Sequence, residues 1–189
     1  CHIVTIEDPI EYVHSSRRSL VHQRQVGRDV CGFAEAVRAC LREDPDVVLV
    51  GEMRDVETMR AAITVAETGH LVFSTLHCGS AVGAMDRIIG AFAAHERPSL
   101  CQQLSMTLRA VVAQQLLPTA DGKGRVPAVE ILRVSKGVAN LIRNHKSEQI
   151  RTAIEAGGDA GMQTLEQSLA HLAARGLISL ETAWAAADN

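Results

Sequence analysis

Three short, nearly unbroken apolar runs constrain the fold of this chain more than any other feature. They cover residues 2–6, 47–50 and 71–76. Runs of this length without alternation are typical of parallel strands that are buried on both faces. Apolar residues between the runs recur every three or four positions, as in the series Val56, Met59 and Ile63. This order of strands and amphipathic helices predicts an α/β fold with a mostly parallel sheet and flanking helices.

The second half of the chain has a different pattern. Helical spacing continues from about residue 80 and includes a long stretch over 99–113. Residues 113–117 and 126–132 read as the strands of a hairpin around a glycine-containing turn at 121–124. The remainder is helical. We therefore expect an α/β part over residues 1–133 and a helical subdomain over 134–189.

Charge and cysteine content exclude several classes of partner. The chain has 19 basic and 22 acidic residues, a formal charge of −3, which argues against nucleic acid. Its five cysteines form no CxxC pair, so neither a disulfide framework nor a zinc ribbon is expected and a reducing cytoplasm is favoured. All apolar runs are far shorter than the ~20 residues that span a bilayer. Any membrane association must therefore come through partner proteins.

Polar residues follow each of the three predicted strands. Glu7 and Asp8 follow the first, Glu52 follows the second and His77 follows the third. Ligands bind beyond the carboxyl ends of parallel strands. Together with Glu11, these carboxylates would crowd negative charge, which Mg²⁺ with a nucleotide phosphate would relieve. A single strand often ends at an exposed polar residue, but three such ends favour a site.

The second strand has the form of a Walker B segment, because the run 47–50 leads into Gly51 and Glu52. In such a segment the carboxylate acts on Mg²⁺ or on the attacking water. His70 and His77 bracket the third strand, where either could contact a γ-phosphate or be structural. A zinc site lacks further ligands at a recognisable spacing.

A phosphate-binding loop does not accompany this segment. The pattern G-x-x-x-x-G-K-[ST] is absent from the sequence, and residues 122–124 read as a turn. The chain therefore contains the later half of a nucleotide site, and we expect a fragment whose first part is missing.

Three segments resemble, in order and spacing, the Asp box, Walker B and His box of the secretion ATPase superfamily that drives type IV pili and type II secretion. They are residues 6–12, 44–55 and 67–77, and residues 109–117 and 161–165 are similar to further family segments. Within the superfamily the chain is most similar to PilT-type retraction ATPases. Extension and secretion ATPases usually carry a four-cysteine zinc insertion where this chain has its short turn. Residues 138–143 also resemble the retraction signature A-I-R-N-L-I-R-E, with Ala139 in place of Arg and Asn144 in place of Glu.

The resemblance implies a RecA-like ATPase core over residues 1–133, ATP and Mg²⁺ as ligands, and a homo-hexameric ring with ATP between subunits. The motor would be cytoplasmic, peripheral to the inner membrane, and would act there on a pilus platform protein without inserting itself. Family members also carry an upstream PAS-like domain and a Walker A loop, which these residues do not contain.

The resemblance also implies roles for individual residues. Glu7 or Glu11 would polarise the attacking water, Glu52 would act with Mg²⁺, and His77 would couple the phosphate state to the neighbouring subunit. Which of these three glutamates is the general base is left open. The expected nucleotide-binding residues are Asp8, Arg24 and His70, with Arg18 and Arg28 as alternatives to Arg24. The expected coupling residues are Asn140, Leu141, Ile142 and Arg143.

Two alternatives to a retraction motor remain open. One is a module that keeps the ring-forming or partner-binding surfaces but does not hydrolyse ATP. The other is a relative of the pilus extension and type II secretion ATPases. A Walker A loop encoded upstream would favour a motor over the first alternative.

Overall fold

A four-stranded parallel sheet forms the first part of the molecule. The computed structural model describes residues 1–187. The strands are β1 His2–Glu7, β2 Leu20–Gln25, β3 Val47–Val50 and β4 Leu71–Ser74, in the order β2-β1-β3-β4. All three pairings are parallel. The structure thus confirms the predicted α/β class.

Strand β2 is absent from the sequence prediction. Its sequence, LVHQRQ, has little apolar character because it lies at an edge of the sheet. It pairs with β1 so that Thr5 lies opposite Gln23 and Glu7 opposite Gln25. These four side chains lie on one face of the sheet, because alternate residues of a strand share a face.

Helices α1 (Phe33–Cys40) and α2 (Val56–Glu67) cover the other face. They pack on Val4, Ile6, Val48 and Val50. The Asp55 side chain caps α2 by accepting a hydrogen bond from the backbone N–H of Thr58 at 2.8 Å, as its sequence position predicts. Gly69, with φ +98°, then turns the chain from α2 into β4. A 3₁₀ turn, Leu41–Glu43, follows α1.

Strand β4 differs from its prediction. It ends at Ser74 and lies at an edge of the sheet, and Leu71 and Phe73 are 47% and 53% exposed. Within residues 1–187, α1 and α2 cover only one face of this sheet, so the expected burial on both faces does not hold for β4 in the described part of the chain.

The rest of the chain consists of helices and one antiparallel hairpin. The elements are α3 Ala81–Ala91, α4 Arg97–Thr107, β5 Ala110–Pro118, β6 Arg125–Arg133, α5 Lys136–Arg143, α6 Glu148–Glu155, a 3₁₀ turn Gly158–Ala160, α7 Leu165–Ala174 and α8 Leu180–Ala187. The predicted hairpin is confirmed. The helix predicted over 99–113 is wrong beyond Thr107, because exposure alternates from Ala110 onward as in a strand.

The described chain forms two compact units. One comprises Cys1–His77 with Ala91–Glu96, and the other comprises Cys78–Gly90 with the residues from Arg97 onward. The hairpin belongs to the second unit, because Leu117 and Ala128 share a core with Leu169 of α7. This division differs from the expected boundary between residues 133 and 134. Residues 188 and 189 of the predicted helical subdomain lie outside the described part. None of the helices within residues 1–187 has the length and apolar character of a membrane span.

Candidate functional site

The carboxyl ends of β1, β3 and β4 are tied together by their main chains. The Gly51 N–H donates to the Ile6 carbonyl at 2.8 Å, and the Met53 N–H donates to the Thr75 carbonyl at 3.1 Å. The Thr75 hydroxyl donates to the Gly51 carbonyl at 2.6 Å. The structure therefore brings the segments that carry Glu7, Glu52 and His77 to one edge of the sheet.

Gly51 permits the close approach of two of these segments. A Cβ at this position would lie 3.1 Å from the Ile6 carbonyl oxygen and 3.3 Å from the Glu7 Cα. Both neighbours are backbone atoms, which cannot rotate away as a side chain could. The close packing of the two strand ends therefore explains why glycine precedes Glu52.

The Glu52 carboxylate is held between two nitrogen donors. Arg54 Nε lies 2.6 Å from Oε2, and His77 Nε2 lies 2.8 Å from Oε1. The Glu52 side chain is only 16% exposed, whereas those of Arg54 and His77 are 61% and 78% exposed. The hydrogen bond and the negative charge of Glu52 raise the pKa of Arg54 above its usual value. A largely buried carboxylate with an adjacent imidazole can bind a cation or exchange a proton.

Glu7 has neutral partners instead. Its Oε1 accepts hydrogen bonds from the Thr5 hydroxyl at 2.5 Å and from Gln23 Nε2 at 2.9 Å. The side chain is half-buried on the sheet face opposite α1 and α2. The two glutamates at this edge therefore differ in surroundings, since one is ion-paired and the other is bound by a hydroxyl and an amide.

Asp8 and Glu11 lie in the exposed segment that follows β1. The Asp8 carboxylate makes a smaller contribution to the raised pKa of Arg54, which brings it within the electrostatic reach of the Glu52 pair. Within residues 1–187, no group of three or more acidic, histidine or cysteine side chains could hold a metal by itself. Mg²⁺ that arrives with a nucleotide needs only one or two carboxylates beside the phosphates. Glu52 fits that need.

Two of the expected nucleotide-binding residues have other side-chain partners in the structure. Arg24 lies opposite Ile6 near the carboxyl end of β2, but its two terminal guanidinium nitrogens lie 2.7 Å from Glu43 oxygens, on the helix-covered face of the sheet. His70 precedes β4, so it lies at the opposite end of that strand from His77. Its Nδ1 is 3.0 Å from the Thr68 hydroxyl at the end of α2. Their binding roles stay predictions.

The expected coupling residues lie on α5, in the second unit. Ile142 is 1% exposed and Leu141 is half-buried, whereas Asn140 and Arg143 are exposed. This matches the expectation that the two apolar residues face the body of the protein. Arg143 Nε donates to the Ser105 hydroxyl of α4 at 3.4 Å.

Sequence reasoning assigned no role to Thr5, Gln23 or Arg54, which contact the two glutamates. Arg54 stands two residues after Glu52 in the Walker B-like segment, and this proximity in sequence is the signal that could have indicated their contact. Gln23 lies in a strand without an apolar pattern, and nothing in the sequence placed that strand beside β1.

The chain matches the family model of type II/IV secretion system proteins over residues 1–184. It is 53% identical over 182 residues to the type IV pilus retraction ATPase PilT of Pseudomonas aeruginosa, covering 96% of this chain and 53% of the relative. It is 51% identical over 188 residues to a twitching motility protein of Neisseria gonorrhoeae, covering 100% of this chain and 50% of the relative. The chain thus spans about half the length of these relatives.

Solved structures agree with these sequence matches. A crystal structure of the pilus retraction motor PilT with bound ADP superposes with a TM-score of 0.91 at 46% identity, covering 100% of this chain and 53% of the motor. The ATPase DotB of Legionella pneumophila superposes with a TM-score of 0.88 at 29% identity, covering 99% of this chain and 51% of DotB.

Proposed function

The chain belongs to the type II/IV secretion system protein family, and on that premise we propose that it supplies the hydrolytic side chains of an ATPase that retracts type IV pili. The observation that carries the proposal is the Glu52 carboxylate, held by Arg54 and His77 beside Glu7 at the carboxyl edge of a parallel sheet. The likeness to PilT, which was crystallised with ADP, supports a nucleotide as the ligand of that edge.

Glu52 is the proposed ligand of Mg²⁺, which would neutralise charge on the ATP phosphates when bound. Each Glu52 oxygen has one nitrogen partner, so each keeps a lone pair that could bind the metal. Glu7 or Glu11 orients the attacking water, and the base remains one of the three glutamates. His77 is the proposed residue that responds to the phosphate state, and its direct contact with Glu52 supports this role.

The phosphate-binding loop must be supplied by residues other than 1–189, since the sequence contains no G-x-x-x-x-G-K-[ST] pattern. Carboxylates alone repel phosphate. We therefore propose that this chain by itself is not an active ATPase, and that it becomes one beside a phosphate-binding half like that of its relatives.

The assembly proposed for the motor is a homo-hexameric ring at the cytoplasmic side of the inner membrane, bound there to a pilus platform protein. Exposed Asn140 and Arg143 on α5 are the proposed contacts that transmit motion. Buried Ile142 anchors that helix.

The experiment uses a joined protein, in which residues 1–189 follow the N-terminal half of P. aeruginosa PilT. It is expressed in cells that lack PilT, and twitching motility is measured. The parent should restore twitching, and Glu52→Gln should not. Glu57→Gln makes the same chemical change at a 79% exposed site on α2 and should restore it. Twitching restored by Glu52→Gln would refute the role of Glu52.

A further inference from the structure

The side-chain amide of Gln23 joins the Glu7 carboxylate to the segment that follows β1. We propose that Gln23 is a positioning residue, which fixes the Asp8–His14 segment relative to Glu7. The proposal rests on three contacts of one side chain.

Each hydrogen-bonding function of the Gln23 amide is used. Its Nε2 donates to Glu7 Oε1 at 2.9 Å and to the Tyr12 carbonyl at 2.8 Å. Its Oε1 accepts from the His14 backbone N–H at 2.6 Å. The amide group is planar, so the positions of its two donors and its acceptor are fixed relative to one another. One rigid group thus sets the distance between the end of β1 and two points of the segment.

The strand pairing explains why Gln23 can reach these groups. Gln23 lies opposite Thr5 on β1, and both side chains bind the same oxygen of Glu7. Two donors on Oε1 hold the carboxylate in one orientation, while its second oxygen takes no part in these bonds. That arrangement suits a group that must orient another molecule.

The anchored points lie on both sides of Glu11. The Gln25 side chain accepts from the Ile10 N–H at 3.4 Å, before Glu11, and Gln23 binds Tyr12 and His14 after it. Glu11 itself is exposed at the surface of this segment. Loss of the Gln23 anchor would therefore free Glu11 to move relative to Glu7.

Such movement matters for the reaction proposed above, on which the kinetic part of this inference rests. A displacement of about 1 Å in a positioning group costs up to ~10²-fold in rate. The anchoring itself is a property of residues 1–187 and can be measured without any hydrolysis.

The first measurement is amide hydrogen exchange by NMR on the chain itself. Gln23→Leu should speed exchange of the His14 amide roughly three- to tenfold, as expected when one hydrogen bond is lost. Gln23→Glu keeps an oxygen for the His14 N–H but replaces the donor that binds Glu7 and Tyr12. It should leave His14 slow while the carbon signal of the Glu7 carboxylate shifts. Unchanged exchange at His14 in a folded Gln23→Leu chain would overturn the anchoring.

Gln25→Leu is the matched control, since Gln25 shares strand, face and residue type with Gln23 but binds the Ile10 N–H and not Glu7. It should speed exchange at Ile10 and shift the Glu7 carboxylate signal less than Gln23→Glu does, because Gln25 lies opposite Glu7 without a hydrogen bond to it. A shift of the Glu7 signal as large as that in Gln23→Glu would show general loosening of the segment and overturn the specific link.

The second measurement is steady-state hydrolysis by the joined protein. Gln23→Leu and Gln23→Glu should each lower kcat by roughly 10- to 100-fold with KM within about twofold of the parent, because positioning rather than binding is lost. A kcat equal to that of the parent would overturn the positioning role. If the parent joined protein does not hydrolyse ATP, the proposed function fails, and the exchange data still decide whether Gln23 anchors the segment.

Discussion

The Glu130 carboxylate caps a helix from a buried position, and its removal should destabilise the second unit. Glu130 lies on β6 and is 9% exposed, and its Oε1 accepts a hydrogen bond from the Ala81 N–H at 2.7 Å. Ala81 is the first residue of α3 and is fully buried. In Glu130→Ala this N–H loses its acceptor where water does not reach it.

The magnitude follows from two contributions. A hydrogen bond to a charged group contributes about 1.5–3 kcal/mol, and a negative charge at a helix N-terminus contributes about 0.3–1 kcal/mol. Glu130→Ala should therefore lower the free energy of unfolding by about 2–4 kcal/mol. Glu130→Gln keeps an oxygen acceptor and loses the charge, so it should cost about 1 kcal/mol.

Urea unfolding followed by circular dichroism measures these changes, with the fluorescence of Trp184 as a probe in the same unit. Glu148→Ala is the control, because Glu148 lies in the first turn of α6 but is exposed. It should cost no more than about 0.5 kcal/mol. A loss below about 0.5 kcal/mol for Glu130→Ala, or one equal to that of the control, would refute the capping argument.

Two further changes test packing near the site. Gly51→Ala places a Cβ 3.1 Å from the Ile6 carbonyl oxygen, so urea unfolding should show a loss of about 1–3 kcal/mol, whereas an unchanged midpoint would show that the strands can separate freely. Burial raises the pKa of the Cys40 thiol from 9.0 to about 11, with a smaller contribution from the Glu43 charge. The folded state therefore holds this proton more tightly than the unfolded state. Stability should accordingly fall between about pH 9 and about pH 11 in the native chain. That part of the fall should be absent in Cys40→Ala. If the free energy of unfolding of Cys40→Ala had the same pH dependence as that of the native chain, the raised pKa of the Cys40 thiol would be refuted.

The sequence predicted the central strands well because burial in a parallel sheet demands continuous apolar residues. Val48 and Val50 of β3 are fully buried, and the polar residues that follow β1, β3 and β4 lie at one edge. The edge strands were predicted poorly for the same reason. Strand β2 needs few apolar residues at an edge, and β4 leaves Phe73 half exposed.

The spacing of motifs in the sequence does not predict which side chains contact one another in the site. His70 and His77 were equivalent in the sequence, yet only His77 follows the carboxyl end of β4 and contacts Glu52. The nucleotide-binding role of Arg24 stays a prediction, and its partner Glu43 was not predicted, because strand alternation places the Arg24 side chain on the helix-covered face. These contacts depend on the pairing of β2 with β1 and on the direction of β4, and the motifs alone indicate neither.

The measurement that tests the central claim most directly is phosphate release by the purified joined protein, with Mg-ATP binding measured in parallel. Glu52→Gln is nearly isosteric, so it should bind Mg-ATP like the parent and release phosphate at least ~10²-fold more slowly. Glu57→Gln should match the parent in both. Phosphate release by Glu52→Gln within a few-fold of the parent would contradict the claim and move the catalytic role to Glu7 and Glu11.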